Sequence, residues 1–259
     1  MAVFRELIKY RQMIVSLVRK ELRGRYKGSV LGFLWTFINP LLQLIVYSIV
    51  FSTIMRVVDT DKYYLFLFVA LIPWIFFSTS VSGGANSIIA NKDMVTKIYF
   101  PREVLPISYV TSCFVNMLFC FIVIFAVLIV SGTGINPAVL IYLPVVMIIE
   151  YILALGITLI TSSVTVFFRD LEHILGIVMM AWMYLTPIMY TPDMVPEQYR
   201  LLFNINPMCS IIISYRDILY YKRAPEMATL LYSAGLGIIL LVVGFMVFSV
   251  LKKKFAESL

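Results

Sequence analysis

The chain has 259 residues; 61% are Ala, Val, Ile, Leu, Met, Phe, Trp, Tyr or Cys, only 14% are charged, and the mean hydropathy is +0.95. A water-soluble domain carries about 25% charged and about 45–50% apolar residues, so this apolar surface exceeds what one aqueous core can hide, which excludes a soluble enzyme. The net charge of +7 is no nucleic-acid signal in itself, because its meaning depends on where the 21 Lys and Arg residues stand relative to a membrane.

In residues 1–27, Phe4, Leu7, Ile8, Ile14, Val15, Val18 and Leu22 fall on one side at helical spacing, with Arg5, Lys9, Arg19, Lys20 and Arg23 elsewhere. This is the pattern of a basic amphipathic helix lying in a membrane interface. A plain basic flank is the alternative, and it needs no apolar stripe. With eight basic residues and no small-residue cleavage site after it, the segment does not read as a signal peptide.

Six stretches then lack Asp, Glu, Lys and Arg: residues 28–55, 63–91, 104–149, 151–168, 173–192 and 227–251. A helix needs about 20 apolar residues to cross a bilayer core. The 46-residue third stretch is broken by the turn formers Ser131, Gly132, Thr133, Gly134, Ile135, Asn136 and Pro137, so it supplies a third span and begins a fourth. That fourth helix is expected from about residue 138 to 168, with Glu150 inside it. Six spans result, giving an all-α integral membrane protein. Arg169, Asp170, Glu172 and the single histidine, His173, are expected as a turn at the membrane edge, with Asp170 capping the fifth helix. Residues 193–226 hold two apolar pieces, around 201–205 and 208–221, punctuated by Pro192, Pro196, Pro207 and Pro225; these suit short re-entrant helices.

The basic residues alternate. Eight lie in 1–27, three in 92–102, one at Arg169 and three in 252–254, whereas the intervening loops hold only Arg56, Lys62, Arg200, Arg216, Lys222 and Arg223. The positive-inside rule then puts both termini in the cytoplasm. No G-x-x-x-x-G-K-[ST] phosphate loop occurs, so any ATP must be hydrolysed by another polypeptide. Glu150 is the lone charge deep within a span, which gives ion coupling little support. Cys113, Cys120 and Cys209 show neither CxxC spacing nor His partners, and no catalytic, cofactor or metal site is expected.

Several stretches in order resemble the permease subunits of bacterial ABC exporters for lipid-linked polysaccharides. They are Arg25-Tyr26-Lys27-Gly28-Ser29-Val30-Leu31-Gly32-Phe33-Leu34-Trp35 followed by Asn39-Pro40; Pro73-Trp74; Asn91-Lys92-Asp93-Met94-Val95-Thr96-Lys97-Ile98-Tyr99-Phe100-Pro101-Arg102-Glu103; Phe168-Arg169-Asp170-Leu171; Thr186-Pro187-Ile188-Met189-Tyr190 with Val195-Pro196; and Asn206-Pro207 with Tyr215-Arg216. Together they run from about residue 20 to residue 221. The resemblance implies a type-2 ABC exporter permease fold in the bacterial cytoplasmic (inner) membrane, moving O-antigen, capsule or teichoic-acid chains. It implies a homodimer docked on two nucleotide-binding subunits that carry the ATP and Mg, and no nucleic acid. By the same resemblance, residues 1–27 form an interface helix before a transmembrane domain at 28–259. Within it, 87–103 is a coupling region (Ser87, Asn91, Lys92, Asp93 and Lys97 facing the ATPase) and 193–226 holds external gate helices.

A sugar channel needs aromatic faces and hydrogen-bonding groups. Thr36, Asn39, Gln43 and Tyr47 recur at steps of three or four on the first span, and His173, Gly176, Met180, Tyr184, Pro187 and Thr191 share one side of the fifth, with Trp182 on a neighbouring face. With Trp35 and Tyr190, the candidates for the substrate channel are Thr36, Asn39, Gln43, Tyr47, Met180, Trp182 and Tyr184. Interhelical hydrogen bonds and interfacial anchoring are the plainer reading of each one alone. Arg19, Lys20, Arg23, Arg25 and Lys27 cluster where a lipid diphosphate would approach, although anionic membrane lipid explains them equally well. An exporter of a small lipid or drug, or a membrane enzyme acting on a lipid-linked sugar, remain the alternatives.

Overall fold

The computed structural model describes residues 2–25, 27–54 and 61–258; Tyr26 and Arg56, both used above, lie outside the described residues, as do the side chains of Phe4 and Arg5. Every regular element described is helical. The N-terminal segment is two helices, α1 (Ala2–Lys9) and α2 (Arg11–Gly24), meeting at Tyr10. Leu17 is buried, and Leu7, Tyr10, Met13 and Ile14 pack against the same core at the i, i+3, i+4, i+7 spacing of one helical face. That face lies along the helix at Val104–Val130, so Ile8 and Val15, expected in the apolar stripe, point outward instead.

The first span begins with a 3-10 turn at Gly32–Leu34, continues as α3 (Trp35–Ser48, with Pro40 inside) and ends in a π-helical turn at Ile49–Ile54. Next comes α4 (Tyr63–Ala85), apolar all round and buried on nearly every side, as befits the central helix of a bundle. The short α5 (Lys92–Lys97) leads to α6 (Val104–Val130). Gly132 and Gly134 take φ of 69° and 70° in the following turn, and the Asn136 side chain accepts from the Ala138 N–H at 3.2 Å to start α7 (Pro137–Leu140). The fourth expected helix is therefore α7 plus α8 (Leu143–Thr165). α12 (Met227–Leu251) lies against α8 at backbone distance, because a Cβ built on Gly244 would stand 2.6 Å from the Gly156 carbonyl oxygen. Five described segments are long and apolar enough to cross a membrane: Gly32–Ser52, Tyr63–Ala85, Val104–Val130, Pro137–Thr165 and Met227–Lys254.

The remaining expected span, 173–192, departs from the expectation. α9 (Leu171–Tyr184) has only 14 residues. At 1.5 Å per residue it is about 21 Å long, short of the ~30 Å hydrocarbon thickness. Pro187 explains the stop, since it lacks a donor and disfavours helical backbone at Thr186. The chain goes on as irregular backbone in which Thr186, Ile188 and Met189 are buried. Such backbone survives at membrane depth only where protein satisfies its carbonyls.

Side-chain ties sort the loops onto two ends. Lys20 meets Asn91, and Lys252 meets Glu103, at the end carrying both termini. Lys62 meets Ser131, Asn136 meets Lys222, and Tyr220 meets Asp61 at the far end. Helix α13 (Phe255–Ser258) closes the terminal end.

Candidate functional site

The polar stripe of α3 is split by the bundle. Thr36, Pro40 and Leu44, four residues apart, form its buried edge. Asn39 and Gln43 lie one step round, exposed, and among the described residues neither side chain makes a hydrogen bond. Tyr47 is half-buried with its ring centroid 6.5 Å from that of Phe51, and Trp35, also half-buried, donates its indole N–H to Ser29 Oγ at 3.0 Å.

On α9, Leu175 and Met179 turn inward while Met180 and Tyr184 remain 60% and 61% exposed. Trp182 does not share that open face. Its ring meets Phe77 edge-on at 5.1 Å and its Nε1–H donates to Asn206 Oδ1 at 2.9 Å. Asn206 also receives the Met208 N–H at 3.0 Å, capping α11 (Pro207–Leu219), and its Nδ2 donates to Thr186 Oγ1 at 3.1 Å. Trp182 thus fastens α9 to the joint between α10 (Arg200–Ile205) and α11, beside an apolar groove of about 860 Å³ lined by Val178, Leu185, Leu202, Phe203 and Leu240. Tyr190 is half-buried and donates its hydroxyl to the Tyr184 carbonyl at 3.1 Å.

The two short helices of 193–226 differ. Leu201, Leu202 and Ile205 of α10 are exposed, whereas α11 is buried over almost its whole length. Charge counting places Arg216 among loop cations, yet the residue is 2% exposed and its guanidinium lies 3.5 Å from the Phe66 ring centroid. It donates to the carbonyls of Pro187, of Ile188 at 2.5 Å, of Tyr190 at 3.2 Å and of Phe66 at 3.3 Å. The first three belong to the irregular backbone beyond α9, so the break at Pro187 is the sequence signal that a donor must come from elsewhere. The neighbouring Tyr215 donates its hydroxyl to Glu150 Oε2 at 2.7 Å, which supplies the partner missing for that carboxyl in the sequence. At the far end Arg223 Nε lies 2.7 Å from Asp217; burial pushes the Asp217 carboxyl up from its usual range and Arg223 draws it back.

At the terminal end an open groove of about 1040 Å³ is lined by Ser16, Arg19, Lys20, Leu22, Arg23, Lys27 and Phe33. Four of the five cations proposed for a headgroup therefore surround one hollow with an apolar flank. Arg25 leaves the group. It turns into the bundle, with Nη2 2.8 Å from Cys113 Sγ and its guanidinium 5.7 Å from the Tyr109 ring, because it stands at the C-cap where the chain bends off α2. Ser87 is buried and accepts Asn91 Nδ2 on its carbonyl at 2.9 Å, and Asn91 Oδ1 in turn accepts from Lys20 at 2.9 Å. These two hold the turn before α5 and tie it to α2. Lys92, Asp93 and Lys97 are exposed, with Lys97 and Asp93 paired at 3.2 Å over buried Val95. Arg169, Asp170, Glu172 and His173 are exposed too, and Asp170 makes no side-chain cap, contrary to expectation.

A helical bundle with five bilayer-length apolar segments, loops tied together at its two ends and irregular backbone buried beyond α9 is a polytopic membrane protein of the transport type. A model of the family described as ABC-2 type transporter matches residues 12–220, most of the chain. The chain is 37% identical to the O-antigen export system permease protein RfbA of Myxococcus xanthus over 98% of both chains. It is 38% identical to RfbA of Klebsiella pneumoniae over 95% of both. Against the polysialic acid transport protein KpsM of Escherichia coli it is 24% identical over 89% of this chain and 90% of that one. The chain belongs to the ABC-2 type transporter family.

Proposed function

We propose that this chain is the membrane-spanning subunit of an ATP-driven exporter of lipid-linked polysaccharide, acting as a homodimer with two copies of a separate nucleotide-binding subunit. The observation that carries the reading is end-to-end similarity, at 37% identity, to a protein named as an O-antigen export permease. The chain has no phosphate loop of its own, so hydrolysis falls to the partner, and the exposed Lys92, Asp93 and Lys97 of α5 are the natural contact for it. The basic hollow at Arg19, Lys20, Arg23 and Lys27 suits the diphosphate of a lipid-linked chain. Asn39 and Gln43 offer amides to sugar hydroxyls, and Tyr47, Met180 and Tyr184 offer apolar and aromatic faces. With the basic end in the cytoplasm, both termini lie inside and transport runs outward across the bacterial inner membrane.

Co-expression with the nucleotide-binding subunit tests this. The two should purify as one complex whose ATP hydrolysis rises with lipid-linked glycan. Stimulation by small drugs but not by glycan would contradict the substrate class, and a chain that purifies without any ATPase would contradict the whole assignment.

A further inference from the structure

The terminal end holds a side-chain cluster that no step above uses. Glu103, at the start of α6, is 1% exposed; Lys252, just past α12, donates to its Oε1 at 2.6 Å, while Oε2 is buried without a hydrogen-bond partner. Arg102 donates to the Lys252 carbonyl, and its guanidinium lies 5.9 Å from the ring centroid of Phe255. Phe255 is fully buried, with Phe248 of α12 at 5.4 Å and Phe167, from the turn between α8 and α9, at 6.0 Å. The helix it begins, α13, packs against α5. One knot therefore joins the connector after α5, the α8–α9 turn and the end of α12.

Stability alone is a poor reason for this chemistry. An ion pair whose carboxylate is buried with one oxygen unmet costs desolvation that an apolar pair of similar volume avoids, and such replacements are often neutral or stabilising. What an ion pair adds is a fixed register between the elements it joins. We infer that Glu103 and Lys252, seated by Arg102 and Phe255, are positioning residues that make α5 and α12 move as one body, so that displacement of α5 by the ATPase reaches α12. From there it passes to α8 through the Gly244–Gly156 backbone contact, and to α11 through Glu150 and Tyr215. The inference rests on the exporter reading for the source of the movement.

The test uses the complete permease–ATPase complex in vesicles and compares wild type, the Glu103→Leu/Lys252→Leu double variant, and Lys252→Arg, which keeps the ion pair. The double variant should assemble at wild-type levels yet export roughly 2- to 30-fold less glycan per ATP hydrolysed, the span of coupling changes seen for residues remote from both sites. Lys252→Arg should keep the wild-type ratio. A spin-label pair on Thr96 and Val250, both exposed, gives a readout independent of glycan: ATP should leave its distance unchanged in wild type and alter it in the double variant. An unchanged export-to-hydrolysis ratio in the double variant, or a label distance that ATP alters in wild type, overturns the inference. So does a loss of folded complex in the double variant with export per remaining complex intact, because that is a purely structural role. A wild-type complex that hydrolyses ATP without moving glycan defeats the exporter reading instead, and the labels still decide whether α5 and α12 move together.

Discussion

Asn39 and Gln43 present primary amides on an open flank of α3, inside a segment that is otherwise apolar. In lipid each amide would go unsatisfied at a cost of a few kcal/mol, so that flank faces water or a second protein surface. Replacing both with Leu removes the donors without disturbing the buried edge at Thr36, Pro40 and Leu44. If the flank walls a sugar path, export per folded complex should fall by about tenfold or more, the scale of losing one or two hydrogen bonds, while complex yield holds. An export ratio equal to wild type would remove both residues from the path. The placement of individual cations was far less legible. Arg25 and Arg216 stand in runs that read as basic flank and loop, but a long side chain reaches wherever unmet acceptors lie, and those acceptors come from segments 88 and 29 residues away. Counting charges by loop shows orientation and is silent on such reach.

Among the elements, the uncharged runs and the turn cluster at 131–137 marked the boundaries of α4, α6 and α12 closely, since bilayer-length apolar runs have few other uses. α9 escaped the same reasoning. Its run is 20 residues long by composition, and only the pairing of Pro187 with a distant arginine decides that helix gives way to buried irregular backbone. The close contact of α8 and α12 was equally hidden, because Gly235, Gly237 and Gly244 look alike in the sequence. They are not alike in space. Alanine at Gly235 meets nothing within 4 Å, so it should stabilise the fold through helix propensity by roughly 0.5–1 kcal/mol and raise the thermal midpoint in detergent. At Gly244 the added Cβ would strike the Gly156 backbone, so the same change should destabilise by roughly 1–3 kcal/mol and lower the midpoint. Equal shifts at the two positions would mean that the helices do not pack as closely as described.

At the scale of the whole molecule, the two ends are chemically unlike. The terminal end gathers the basic hollow, the exposed face of α5 and the Glu103–Lys252 knot; the far end gathers turns, the tip of α11 and the exposed apolar surface of α10. Between them runs a bundle that places the amides of Asn39 and Gln43 on one outer flank and ties Glu150 to Tyr215, Thr158 to Ser80 and Ser210 to Ser233 within itself. That polarity suits the proposed exporter, in which phosphate recognition and energy input would fall at one face and release at the other. The most direct measurement is glycan transfer in sealed inverted membrane vesicles carrying the permease with its nucleotide-binding subunit, where the cytoplasmic face is outside. External ATP should drive lipid-linked glycan into the protected lumen, and a hydrolysis-deficient ATPase should abolish the transfer. Glycan that enters at the same rate without hydrolysis, or that stays outside while ATP is consumed in its presence, would contradict the assignment.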